Sequence, residues 1–215
     1  MVIRYENPNG YDCVIFDLDE TLIDDRTAWC YTIEESILST LGKRIDPHPL
    51  LEEYRTRPWK DVISLLVENR KIQQACLALC LQMERRSSLK HLLVFDGIGM
   101  ALDKIRDLAE IGVVSRWPYS EANKRIQSTG LDRFFTAVIG TDENENWDPR
   151  LRFNECYKLL GYEKTNSLYI GGEILDINSV ISHGSVAHSA GWAGYKSSIL
   201  TPTSLPVLVQ AGPHH

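Results

Sequence analysis

The sequence predicts an α/β fold, a parallel sheet covered by helices on both faces and interrupted once by an all-helical insertion. Three observations predict it. Short apolar runs alternate with helical periodicity through the second half of the chain. One apolar run near the start, Cys13 to Phe16, ends abruptly in carboxylates. Between these lies a long stretch without strand signals, too long for a loop inside a compact domain.

The opening strand, Cys13-Val14-Ile15-Phe16, runs into Asp17-Leu18-Asp19-Glu20-Thr21-Leu22-Ile23-Asp24. A strand sends residues two apart to the same side, so Asp17 and Asp19 start toward one point. In a parallel sheet, ligands bind beyond the carboxyl ends of the strands. Two like charges held so close are costly unless a cation or a shared proton relieves them.

Asp24-Asp25-Arg26-Thr27 offers helix-start chemistry, and Ile33, Ile37, Leu38 and Leu41 then recur at helical spacing up to a stop at Gly42. Asp46-Pro47-His48-Pro49 is a break, followed by a second helix from Leu50 to Tyr54. Between Trp59 and Met83, apolar residues from Val62 to Cys80 read as one broken helix or two. Glu84 to Ser88 reads as a turn or a solvated helix end. Residues 25–92 therefore form a helical segment whose place in the chain suits a cap over the aspartates, with 1–24 and 93–215 as the sheet core.

Strand–helix alternation resumes at Phe95-Asp96-Gly97 and a helix carrying Ala101, Leu102, Ile105 and Leu108. Ile111 to Val114 is a strand ending at Ser115, and Ser120 to Thr129 a helix stopped by Gly130. Phe135 to Ile139 is a strand, Pro149 to Leu160 a helix closed by Gly161, and Leu168 to Ile170 a strand. A helix around Asn178 and a weak strand from Ser197 to Leu200 complete the pattern. The tail from Thr201 carries three prolines and two terminal histidines and reads as poorly ordered at its end.

The 215 residues suffice for one core domain and a modest insertion, with 43% hydrophobic and 24% charged residues. A net charge of −6 lacks the basic face that a nucleic-acid partner needs. Five cysteines, odd in number and without a CxxC pair, read as buried free thiols of a reducing compartment. No signal peptide is legible and no apolar run reaches membrane-spanning length, so a cytoplasmic protein is expected.

Phe16-Asp17-Leu18-Asp19-Glu20-Thr21-Leu22-Ile23-Asp24 resembles the first motif of the haloacid dehalogenase (HAD) superfamily in its phosphatase-type form. The resemblance implies a Rossmann-like core, a cap inserted after this motif, a Mg²⁺ ion and a small phosphorylated substrate. It also implies Asp17 as the nucleophile, through an aspartyl-phosphate, and Asp19 as the acid/base. Mg²⁺ would bind the Asp17 carboxylate and the main-chain carbonyl of Asp19. An aspartate at position 19 argues against a dehalogenase, which has no leaving-group oxygen to protonate. Val113 to Ser120 resembles the second motif, in which Ser115 would bind phosphate and Arg116 would contact phosphate or stand in solvent.

The third and fourth motifs depart from the pattern. In Asn146-Trp147-Asp148-Pro149, Asn146 stands where the family has a lysine, and an amide supplies no charge. Arg150, Arg152 and Lys158, on the helix that follows, are expected in solvent. In Leu168 to Ile177, Gly172 stands where the first metal-binding aspartate is usual, while Asp176 keeps the second acidic position. Asp176 suits metal binding over an acidic helix N-terminus, while Glu173, one residue late but longer, suits both equally. His183 and His188, five apart, do not share a helix face and are not read as a metal site. The resemblance implies a phosphohydrolase; a catalytically weak or inactive binding protein, or a phosphotransferase or mutase, would use the same aspartates.

Overall fold

The computed structural model describes residues 10–53, 57, 59–142, 145–193 and 201–211. They belong to two compact units, Met1–Asp24 with Val94–His215, and Asp25–Leu93. The chain opens with β1 (Cys13–Asp17) and a short β2 (Ile23–Asp24).

The helical unit contains α1 (Arg26–Leu41), α2 (Trp59–Leu66) and α3 (Arg70–Glu84), with single-turn segments at His48–Glu52 and Ser87–His91. The stretch that reads as one broken helix or two is two. Asn69 sets the break: its side chain accepts from the N–H groups of Lys71 and Ile72, capping α3. Trp29, Cys30, Ile33 and Ile37 of α1 pack with Val62, Ile63, Cys76 and Cys80, which gives the unit a core of its own. Gly42 closes α1 in the left-handed conformation that the sequence assigns to it.

The chain returns through β3 (Leu93–Val94), α4 (Ile98–Ile105), β4 (Glu110–Val114), α5 (Tyr119–Ser128) and β5 (Ala137–Ile139). Then follow α6 (Pro149–Leu160), β6 (Ser167–Gly171), α7 (Ile174–Ser182), β7 (Val186–Ser189) and α8 (Leu205–Ala211). Five strands form one parallel sheet in the order β5-β4-β1-β6-β7, the Rossmann-like arrangement expected. Burial explains the run of apolar residues in β1, where all five positions are buried.

Ser197 to Leu200 lies outside the described residues, and the edge strand beside β6 is Val186–Ser189. Its sequence, Val-Ala-His-Ser, carries too little apolar pattern to announce a strand. Beyond Thr201 the described residues are docked, and the end of the tail lies outside them. Leu205 and Val209 are fully buried, and the Val209 carbonyl accepts from the N–H of Tyr11.

Candidate active site

Register fixes the first half of the site. Asp17 pairs with Val114 across β1 and β4, and Phe16 pairs with Ile170 across β1 and β6. Three strands therefore end together, and Asp17, Ser115 and the Gly171-Gly172 turn lie at one carboxyl edge. This edge is where a parallel sheet presents ligands.

Asp17 is buried, with the N–H of Leu18 donating to its carboxyl. Burial first, then the charges of Asp19 and Asp176, push its pKa well above the ordinary carboxylate range, against a smaller lowering by Arg116. After Asp17 the chain turns sharply. Glu20 takes a positive φ of 60°, unusual for a residue with a side chain, and its N–H donates to the carbonyl of Ile23 at 2.7 Å.

Asp19 is held on both oxygens. Trp117 donates its indole N–H to Oδ2 at 2.7 Å, while Arg125 reaches Oδ1 through Nε at 3.0 Å and Nη2 at 2.8 Å. The Arg125 guanidinium lies 4.8 Å from the centre of the Trp117 ring, so both donors brace one another. Neither residue is legible as functional in the sequence: Arg125 is an arginine in a polar helix, and only the fold turns it inward.

Ser115 is buried beyond the end of β4. Its hydroxyl oxygen accepts from the N–H of Trp117 at 3.1 Å, and its carbonyl accepts from the Thr141 hydroxyl at 3.0 Å. The serine hydroxyl thus acts as an acceptor in this turn and retains an O–H to donate.

Arg116 is not free in solvent. Its Nη2 lies 2.6 Å from Glu173 Oε2 and 3.0 Å from Asp176 Oδ2. Trp147, in the degenerate third motif, donates its indole N–H to the same Asp176 oxygen at 2.8 Å. Glu173 precedes α7, but its side chain does not cap the helix; it goes to Arg116. The third motif's Asp148 caps α6 by accepting from the N–H of Arg150 at 2.9 Å. Asn146 is exposed, in keeping with an amide that takes no lysine's part.

Arg152 departs from its expected solvation. It is 9% exposed and pairs with Glu145 and Glu155, so it serves α6 and its approach rather than the aspartates. Arg150 pairs with Asp148, the residue that caps α6.

The structure brings Glu173 and Asp176 together through Arg116, and brings Asp17 near Asp19 and Asp176. Among the described residues no group of three carboxylate, histidine or cysteine side chains converges as a metal cage. Gly172 explains part of this. A Cβ there would sit 2.9 Å from the Glu20 carbonyl oxygen and 3.3 Å from the Thr21 hydroxyl oxygen. The turn after β1 has closed over the position where a carboxylate would stand. As arranged, these side chains do not fit a Mg²⁺ ion, which demands near-octahedral oxygen ligands.

Comparison with known proteins gives a consistent family. Residues 14–185 match the haloacid dehalogenase-like hydrolases. Pyrophosphatase PpaX of Listeria innocua is 28% identical over 193 residues, spanning 84% of this chain and 83% of the relative. A HAD-superfamily hydrolase of subfamily IA from Geobacter sulfurreducens superposes with a TM-score of 0.75 at 17% identity, over 85% of this chain and 88% of that one. A haloacid dehalogenase-like family protein from Streptococcus pneumoniae gives 0.69 at 11% identity, over 92% and 97%. At these identities the two structures speak for the fold alone.

Proposed function

The chain belongs to the haloacid dehalogenase-like hydrolases, and within that family we propose that it cleaves the phosphoryl group of a small phosphorylated compound, with Asp17 as nucleophile. One observation carries this: Asp17 is buried at the carboxyl end of the central strand, with Asp19 two residues on and Ser115 beyond the neighbouring strand. A carboxyl kept there against its own desolvation has a chemical use more readily than a structural one.

An Asp17 oxygen attacks phosphorus as the bond to the leaving oxygen breaks, and the proton that burial keeps on Asp17 passes by way of Asp19 to that oxygen. Water then attacks the aspartyl-phosphate, giving its proton back to Asp19 and releasing Asp17. Ser115 donates its O–H to a phosphoryl oxygen, and Arg116 supplies charge beside it. Family members generally use Mg²⁺, but no step here runs through it, because Glu173 and Asp176 are both taken by Arg116. The pyrophosphatase PpaX relatives support a small phosphoanhydride or phosphoester as substrate. The helical insertion takes the part of the family's cap in this assignment, and five buried free thiols support a cytoplasmic setting.

A second assignment, a weakly active or inactive binder of a phosphorylated ligand, is favoured by Arg116, whose single charge is shared between two carboxylates. Turnover of pyrophosphate and aryl phosphates by the parent and by Asp17→Asn separates the two. Hydrolysis lost in the variant supports the enzyme. Hydrolysis equal in both removes Asp17 as nucleophile, and a parent that binds phosphate without turnover supports the binder.

A further inference from the structure

We propose that Arg116 occupies the seat that this family gives to a divalent cation, so that guanidinium and Mg²⁺ compete for Glu173 and Asp176. Three independent features converge on this. One arginine nitrogen bridges two carboxylates from the β6–α7 turn and the first turn of α7, at 2.6 Å and 3.0 Å. The Asp176 oxygen it uses also accepts from Trp147 at 2.8 Å, and the guanidinium lies 5.4 Å from the centre of the Trp147 ring. Lastly, Gly172 has no room for the carboxylate that would complete a metal cage, because the Glu20 carbonyl stands 2.9 Å from its would-be Cβ.

The chemistry is exclusive. A divalent cation would need the Asp176 oxygen that Arg116 and Trp147 already occupy, and it would meet a fixed positive charge at hydrogen-bond distance from its ligands. Trp147 adjoins Asn146 in the third motif, so the stretch that departs from the family pattern also braces the arginine. With glycine at 172 and Arg116 on Glu173 and Asp176, the site has less negative charge to hold a metal and a built-in cation on what remains.

The competition rests on assigning these carboxylates to the family's site, yet its test reads metal binding and no turnover, so it stands or falls apart from Asp17's role as nucleophile. Mg²⁺ is titrated by calorimetry into the full chain, into Arg116→Met, which keeps an unbranched side chain without the charge, and into Arg116→Ala. Removal of the charge should tighten Mg²⁺ binding at least tenfold in both variants, and adding Asp176→Asn to either should abolish the gain. Thermal unfolding with and without Mg²⁺ checks that each variant is folded, and should show a metal-dependent rise in the variants that the parent lacks. Equal Mg²⁺ affinity in parent and variants, or a gain that survives Asp176→Asn, would overturn the proposal.

Discussion

Arg125, only 3% exposed, points both Nε and Nη2 at a single oxygen of Asp19, which is itself 25% exposed. The pair is a buried cation meeting a half-open carboxylate, so the arginine depends on the aspartate more than the reverse. Arg125→Ala should destabilise the protein by about 3 kcal/mol, the lower end of the cost of breaking a buried pair, because water can reach the carboxylate left behind. Arg125→Lys should recover part of this, since it restores charge without the two-nitrogen fork. Urea unfolding of the three proteins checks the order, and a lysine variant as stable as the parent would deny the fork its role.

Asp17 should carry a stability cost that depends on pH. Its folded pKa is raised by burial and by Asp19 and Asp176. The associated stability is therefore fully present below the unfolded pKa, about 3.9, and is lost as pH rises through the folded value. Asp17→Asn, which mimics the protonated acid, should match the parent at low pH. Its advantage should grow as pH rises from about 4 and then level off. Urea midpoints measured across that range in metal-free buffer give the trend, and an advantage that shrinks with pH would contradict it.

Gly172 should resist conversion to the family's aspartate. Its Cβ would press on backbone, the Glu20 carbonyl, rather than on a flexible side-chain end. Gly172→Ala should cost about 1–3 kcal/mol, and Gly172→Asp more, with no gain in Mg²⁺ affinity while Arg116 stays in place. Gly99 serves as the control. It lies in α4, and a methyl added there would meet nothing within 4 Å, so Gly99→Ala should stabilise by about 0.5–1 kcal/mol. Thermal or urea unfolding of the three variants beside the parent gives the order.

The thiols should be silent in the native protein. All five cysteines are buried, and burial first pushes Cys13 up to about 12 and Cys80 to about 11. An aromatic disulfide reagent at neutral pH should label none until denaturant is added, then all five. Rapid labelling of any one before unfolding would show a local opening.

Much of this was legible in the sequence, and the gaps have physical causes. Asp17 and Asp19 stood out because an apolar strand ending in paired carboxylates is an unusual local pattern. Ser115 followed from the next such strand. Arg125, Trp117 and Trp147 stayed hidden, since each acts through contacts 29 to 106 residues away in sequence. Helix α5, which carries Arg125, has only Ala122 and Ile126 as buried apolar residues and otherwise reads as polar. Strand β7 was missed because an edge strand is paired on one side and needs little apolar pattern. The closure over Gly172 depends on the backbone path of Glu20, a left-handed residue that no propensity would have proposed.

The split of the sheet unit around the helical insertion sets an order of events at synthesis. Strand β1 leaves the ribosome first, yet Val14 waits for Ile111 on one side and Leu168 on the other. The intervening unit, Asp25–Leu93, is contiguous and has its own core, so it can form while β1 is still unpaired. A strand buried at every position is thus long without its sheet neighbours, a vulnerability of nascent chains rather than of the finished fold. Translation halted between the insertion and β4 should yield chains that bind chaperone through Cys13 to Phe16, and release should follow once β6 has emerged.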